Sequence, residues 1–184
     1  MGTHLTMVRL ESYALNVALL AACIISALAT PLPGPPGPVG GQPIVVDAAF
    51  SPMFIPGVPA VTYDPAAVPE TGRVRVIVLR HGEASMAVTG FVPDRFFGAH
   101  LNTAACGPSG VDAGPRYQHT VNPDPGFINP ENEVWLNFTT DSEGLAASSS
   151  VHPWPFDPDR PPRSVIIDDG QLATRLACVN VPWS

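Results

Sequence analysis

Hydrophobic and polar residues alternate with a period of two along much of the chain. In the segment 73–80, RVRVIVLR, the residues Val74, Val76 and Val78 share one face of an extended strand. Similar short segments, rich in Val, Phe, Trp and Thr and bounded by Gly, Pro or Asp, span residues 84–91, 96–102, 133–140, 144–152, 163–168 and 173–181. This spacing predicts an all-β domain of about eight antiparallel strands, a sandwich or barrel.

The N-terminus has a different pattern, a continuous apolar run. Residues 12–29 follow Arg9 and end in small residues, which is typical of a secretory signal peptide over residues 1–29. Two alternatives remain. The motif LAAC fits a lipoprotein leader with a lipid anchor at Cys23, and 18 residues reach the lower limit for an uncleaved membrane anchor. All three predict a secreted or cell-envelope protein outside the cytoplasm.

Prolines are dense between these two regions. Of the 23 prolines, 11 lie between residues 31 and 69, and residues 31–43, PLPGPPGPVGGQP, carry no charge and no apolar periodicity. Such a segment cannot bury enough surface to offset the ordering of its backbone. We therefore predict a Pro/Gly-rich linker over residues 30–58 and a folded domain over residues 59–184.

Charge and cysteine content narrow the partners and the compartment. All nine basic residues are arginines, the net charge is −7 and no basic cluster occurs, so no nucleic-acid partner is expected. Once Cys23 is removed or lipidated, Cys106 and Cys178 remain as an even pair, which predicts a disulfide in an exported chain. Two buried free thiols are the alternative.

The first candidate motif is Arg80-His81-Gly82-Glu83, which follows the strand VIVL. It resembles the signature of the histidine phosphatases, in which the histidine is phosphorylated beside arginines that hold the phosphoryl oxygens. That family requires an α/β scaffold, which the strand-rich pattern does not predict. The preferred interpretation is a β-hairpin turn in which Gly82 adopts an unusual φ.

The second candidate is a series of motifs along the whole domain. They are VTYDP (61–65), GAHLN (98–102), Cys106-Gly107, AGPRY (113–117), NPENEVWLNFTTD (129–141), RSVIIDD (163–169) and RLAC (175–178). Their order and spacing resemble the Cu/Zn superoxide dismutase family, in particular its divergent secreted bacterial branch, over about residues 60–184. The resemblance implies an eight-stranded Greek-key β-sandwich or barrel whose intrasubunit disulfide joins Cys106 and Cys178.

Most metal ligands of that family are replaced. The resemblance places the four copper-ligand positions at His100, Asn102, Arg116 and Asp168. Copper that cycles between two oxidation states prefers imidazole nitrogen, and a guanidinium stays protonated and cannot ligate. The segment 117–132 offers zinc only His119 and Asp124, at a spacing that fits no known ligand set, so zinc is not expected.

These replacements lead to further expectations. Positions that would both touch copper must lie close together, so we predict an Arg116–Asp168 ion pair within about 6 Å. His100 is expected to be a hydrogen-bonded histidine, with a new metal site using His100 and His119 as the alternative. By the resemblance, Arg175 matches the arginine that guides superoxide, although a structural role beside Cys178 is the alternative.

Several residues are given structural roles. Trp135 and Phe138 are expected in the sandwich core or on its face. His119 and His152 are expected to be solvated in loops, and the loop of residues 153–156 is expected to expose two aromatic side chains as a contact patch.

The sequence thus predicts an exported superoxide dismutase-like protein whose copper site has decayed and which binds no cofactor. Its role would be structural or interactive, with a partner at the cell envelope. The alternative is a copper-dependent superoxide dismutase, converting superoxide to oxygen and hydrogen peroxide, whose modified site uses His100 and substitute ligands. Whether the chain is an enzyme stays open because fold does not fix function.

Overall fold

The period-two pattern of the sequence becomes alternating burial in the strands. In β3 (Arg73–Leu79) the three valines of the pattern are buried, while the alternate residues Arg73 and Arg75 are exposed. The structure, a computed structural model, describes residues 41–183. The predicted leader with Cys23, and the linker up to residue 40, lie outside the described residues.

Nine strands form over the described residues. In chain order they are β1 (Ile44–Ala49), β2 (Ala60–Thr62), β3, β4 (Glu83–Thr89), β5 (Phe96–Asn102), β6 (Phe138–Thr139), β7 (Ala146–Val151), β8 (Ser164–Asp169) and β9 (Arg175–Asn180). Two short 3-10 turns, Gly110–Ala113 and Pro125–Phe127, interrupt the long connection between β5 and β6.

The strands form two antiparallel sheets around one core. One sheet has the order β1-β3-β4-β7 and the other the order β2-β9-β8-β5-β6. Buried side chains from both sheets share a single hydrophobic cluster. The predicted all-β sandwich of antiparallel strands is confirmed.

Aromatic rings fill one part of this core. Phe91 lies at the centre, with its ring centroid 5.6 Å from Phe50, 5.5 Å from Phe97 and 5.9 Å from Phe138, each in an edge-to-face arrangement. Edge-to-face pairs at this separation stabilise by about 0.5–1.5 kcal/mol each beyond their buried area. Phe138 therefore has the core position predicted for it.

The predicted domain boundary is wrong in the structure. Strand β1 lies inside residues 30–58, which were assigned to the linker, and it pairs with β3 from Ile44 opposite Val78 onward. Ile44, Val46 and Ala48 are buried in the core and belong to the same compact unit as the other strands. The surrounding prolines hide this short strand because six alternating residues make a weak signal beside a proline-dense segment.

The strand predicted over residues 133–140 is also mostly wrong. Only Phe138–Thr139 forms a strand, while Glu133 and Trp135 make single bridges to Gln118 and His100. The bridges are isolated because successive residues of the segment pair with different partners: Glu133 pairs with the loop that follows Arg116, and Trp135 pairs with β5. The segment therefore lies between this loop and β5 and brings their polar side chains together.

The disulfide and the hairpin turn are found where the sequence predicts them. Cys106 and Cys178 are bonded, with their Cα atoms 5.8 Å apart, and they pack on the outer face of the five-stranded sheet. The Arg80–Glu83 motif lies in the turn between β3 and β4, where Gly82 has a φ of 106°. An added Cβ at Gly82 would collide with the Trp154 carbonyl, so glycine is required here on two grounds.

Removing β1 tests the corrected domain boundary. A chain that begins at Pro59 loses the buried side chains of Ile44 and Val46 and uncovers β3. We expect its free energy of unfolding in urea to fall by at least about 3 kcal/mol. A chain that begins at Gly41 serves as the control and should unfold like one that begins at residue 30. Equal stability of the Pro59 and Gly41 chains would contradict the structure.

Candidate functional site

Strand alternation places the candidate site on the outer face of the five-stranded sheet. In β5, Phe97, Ala99 and Leu101 enter the core. The residue after each of them, which is Gly98, His100 and Asn102 in turn, therefore faces outward. In β8 the core receives Val165 and Ile167, which turns Asp168 to the same outer face.

His100 and Asp168 form a buried pair on neighbouring strands. His100 Nδ1 lies 3.3 Å from Asp168 Oδ2, and the two side chains are only 7% and 8% exposed. Gly98 is the partner of Asp168 across the strand pair, and a Cβ there would collide with the carboxylate. The glycine therefore leaves the space that lets Asp168 lie flat against β5.

Arg116 brings a cation to this pair. Its backbone bridges to Asn102, its Nη2 lies 4.0 Å from Asp168 Oδ2 and its Nη1 donates to Glu133 Oε2 at 3.4 Å. The Arg116–Asp168 distance lies inside the limit of about 6 Å set by the sequence analysis. One guanidinium is thus placed between two buried carboxylates.

Glu133 is the site residue that the sequence analysis missed. Its side chain is 2% exposed; Oε1 accepts a hydrogen bond from Gln118 Nε2 at 3.2 Å and Oε2 accepts one from Trp135 Nε1 at 2.9 Å. Trp135, predicted in the core or on the face, lies on the outer face, where it meets the His100 ring edge to face at 5.9 Å. A lone carboxylate within the apolar run EVWLNF was the available signal.

Asn102 holds the loop that follows β5. Its Nδ2 donates to the Gly114 carbonyl at 2.9 Å, while its Oδ1 is buried without a hydrogen-bond partner. Arg175 donates to the same carbonyl through Nη2 at 2.9 Å and to the Gly110 carbonyl through Nη1 at 2.6 Å. Both side chains therefore donate to backbone carbonyls of the same loop. Arg175 thus has the geometry of a residue that orders this loop, which is the structural alternative given above.

Tyr63 reinforces this loop from another side. Its hydroxyl donates to the Gly107 carbonyl at 3.0 Å, and burial raises the pKa of the phenol to about 12. The phenol therefore stays protonated and remains a donor over the whole physiological range.

The donor set does not fit copper. Copper needs lone pairs that converge, yet His100 faces Asp168 through Nδ1, Asn102 offers an amide donor to a carbonyl, and Arg116 offers only N–H donors. Over residues 41–183, no three His, Cys, Asp or Glu side chains are grouped closely enough to hold a metal ion. His119 does not join His100 in a second set, because it stacks on Trp154 instead.

His152 and the two aromatic residues of the loop 153–156 are less exposed than predicted, whereas His119 is exposed as expected. The imidazoles of His119 and His152 both stack on the Trp154 indole, at centroid distances of 4.7 Å and 4.1 Å. Trp154 and Phe156 are buried, so the predicted exposed contact patch is wrong. The Trp154 indole is held in its buried position by this stacking and by a hydrogen bond that its Nε1 donates to the Glu131 carbonyl at 3.1 Å.

His152 is the titratable group of this stack. Burial lowers the pKa of its imidazole, the nearby His119 lowers it further, and Glu131 opposes both effects. Its Nε2 lies 2.8 Å from Ser150 Oγ, which gives the neutral ring a hydrogen-bond partner. The folded protein therefore resists protonation of His152.

Comparison of the chain with protein-family models, with curated proteins and with solved structures finds no match. Over residues 41–183, none of the helical segments is long and apolar enough to cross a membrane. The assignment of a function therefore depends on the geometry described above.

The Gly98→Ala variant tests the packing of the buried pair. The added methyl group would push Asp168 away from His100, so we expect a loss of about 1–3 kcal/mol in the free energy of unfolding. The imidazole NMR signals of His100 should shift as well. Gly126→Ala, in an exposed turn with only the Asp124 carboxylate near the new methyl group, is the control. Wild-type stability with unchanged His100 signals would contradict this packing.

The pKa of His152 predicts how stability depends on pH. Because the folded-state pKa lies below the unfolded value of 6.5, the unfolded chain binds the proton more readily. The contribution of neutral His152 is complete above pH 6.5 and is lost as the pH falls through the lower folded-state pKa. Urea unfolding at several pH values should show a smaller acid loss in His152→Gln than in the wild type, while His81→Gln, at an exposed position, serves as the control. Identical pH profiles of His152→Gln and the wild type would disprove this role.

Proposed function

We propose that this chain is an exported superoxide dismutase-like protein in which an ion-pair network replaces the copper site, with a structural or interaction role at the cell envelope. The observation that carries the proposal is the Arg116 guanidinium between the Asp168 and Glu133 carboxylates. A guanidinium cannot lose its proton in a protein and repels a metal cation. Arg116 therefore places N–H donors, which cannot bind a metal, at the position that the resemblance assigns to a copper ligand.

The fold and the disulfide support the family part of the proposal. The chain changes sheet after β1, β2, β4, β6 and β7, which is compatible with Greek-key connections. The disulfide joins the two cysteines to which the resemblance assigns it. Three of the four positions that the resemblance assigns to ligands lie on β5 and β8, and Arg116 joins them from the loop that bridges to Asn102. The fold would then be the Greek-key sandwich of that family.

The buried charges support a lasting loss of the metal. Removing one partner of a buried ion pair costs about 3–5 kcal/mol because the other charge is left without compensation. Moving Arg116 out to admit a metal would break its contacts with both Asp168 and Glu133, and the metal would have to replace the hydrogen bond to Glu133 as well as the charge. A cleaved leader would release the domain outside the cytoplasm, whereas a lipid anchor at Cys23 would hold it at the envelope through the predicted linker.

The second candidate function is copper-dependent superoxide dismutation with a modified site. One observation favours it: His100 is retained and buried at the first ligand position. It requires Arg116 and the Asp168 carboxylate to give up their present contacts. The two candidates therefore predict different metal contents for the same protein.

Metal content after loading with copper and zinc and dialysis tests the proposal. We expect the wild type to retain no stoichiometric copper, while the triple variant Asn102→His, Arg116→His, Asp168→His regains imidazole ligands and retains about one copper per chain. Adding His100→Gln to the triple variant is the matched control and should remove that copper. About one copper per wild-type chain would overturn the proposal and lead to a dismutase assay.

A further inference from the structure

A pocket opens beside the ion-pair network. We call it the loop pocket; it has a volume of about 450 Å³, and its lining includes Arg116, Val121, Ile128, Glu133 and Arg160. Pockets of about 300–1,000 Å³ with apolar walls and a few convergent polar groups are the usual sites for small ligands. The loop pocket therefore has the size and composition of a binding site.

Apolar side chains at its rim are left in contact with water. Val121 is 67% exposed and Ile128 is 49% exposed, and Pro115 and Pro123 complete the apolar part of the wall. A ligand with a hydrocarbon part would cover these side chains and remove their surface from water. The rim thus favours a ligand that is partly apolar.

The two arginines of the loop pocket keep unused donor capacity. The contacts of Arg116 are 3.4 Å to Glu133 and 4.0 Å to Asp168, and those of Arg160 are 3.4 Å to the His119 carbonyl and 3.9 Å to Asp157. A guanidinium has five N–H donors, and its short charge-assisted hydrogen bonds measure about 2.7–2.9 Å. Both side chains are about one-third exposed, so an oxyanion can reach them.

The negative charges around the loop pocket are arranged so that they do not block an anion. Glu133 is buried, and its carboxylate already accepts from Arg116, Gln118 and Trp135. Asp157, beside Arg160, is 44% exposed and therefore well solvated. The guanidinium carbon of Arg160 also lies 5.0 Å from the centroid of the Tyr117 ring, which restrains the position of the guanidinium.

We propose that the loop pocket binds an apolar carboxylate. The carboxylate oxygens would accept hydrogen bonds from Arg116 and Arg160, and the hydrocarbon part would cover Val121 and Ile128. The same chemistry is offered by a free small acid and by the C-terminal carboxylate of an apolar peptide. This inference deepens the proposed interaction role and rests on it in one respect, which is that Arg116 stays beside Glu133 and does not give way to a metal.

Titration of the isotope-labelled protein, followed by amide NMR signals, tests the proposal. Hexanoate is the first probe, and hexanamide is its neutral control of nearly equal size. We expect saturable shifts around residues 115–123 and 128–133 with hexanoate, and binding of hexanamide that is weaker by about tenfold or more. No saturable shift with hexanoate, or equal binding of both probes, would overturn the proposal.

Variants identify the groups that bind. Arg160→Gln should weaken hexanoate binding by about tenfold, since one charge-assisted contact is lost. Arg73→Gln is the matched control, because that arginine pairs with Asp47 on the other sheet and should bind hexanoate like the wild type. Arg116→Gln should weaken binding as well, and if it fails to fold, Arg160→Gln alone decides. Unchanged binding by Arg160→Gln would reject the site.

Two further measurements distinguish a free acid from a peptide end as the ligand, and failure of the loop-pocket proposal from failure of the proposed function. An acetylated Gly-Val-Leu peptide with a free carboxylate should bind, and its amidated form should not, if the pocket also accepts peptide ends. Hexanoate binding without peptide binding supports a free acid. Copper content is measured in the same preparation. Stoichiometric copper would refute the proposed function, whereas a copper-free protein without hexanoate binding would refute only the loop pocket.

Discussion

Two buried carboxylates that need a cation are the constraint around which the outer face of the five-stranded sheet is organised. Asp168 comes from a central strand and Glu133 from the segment that bridges to a loop, and Arg116 lies between them. Without a counter-charge, each carboxylate would carry a large desolvation penalty. The packing of both carboxylates on this face therefore depends on one guanidinium.

The rest of the long connection is fixed by contacts of a different kind. The Gly114 carbonyl accepts from both Asn102 and Arg175, and the disulfide fastens Cys106 to β9. Farther along, the Trp154 indole holds His119 by stacking. This segment contains almost no regular secondary structure. It is ordered by hydrogen bonds, a covalent bond, an ion pair and ring stacking together.

The sequence predicts features that depend on local pattern. The alternation in RVRVIVLR fixed the burial of β3, and the glycine in the Arg80–Glu83 turn indicated the hairpin. It does not predict β1, because neighbouring prolines mask six alternating residues, or the stack of His119 on Trp154, because loops 35 residues apart in sequence meet only in the folded chain. Glu133 was missed for the same reason: its partners come from another loop and its burial from tertiary packing.

The disulfide also carries a consequence for the timing of maturation. Cys106 lies at the beginning of the connection that carries Arg116, and Cys178 lies in the strand beside Asp168. For an exported chain, this bond forms only after the cytoplasm is left behind. Before it forms, the connection is held by non-covalent contacts alone, so if the chain is exported, the ionic cluster would reach its full rigidity only outside the cytoplasm.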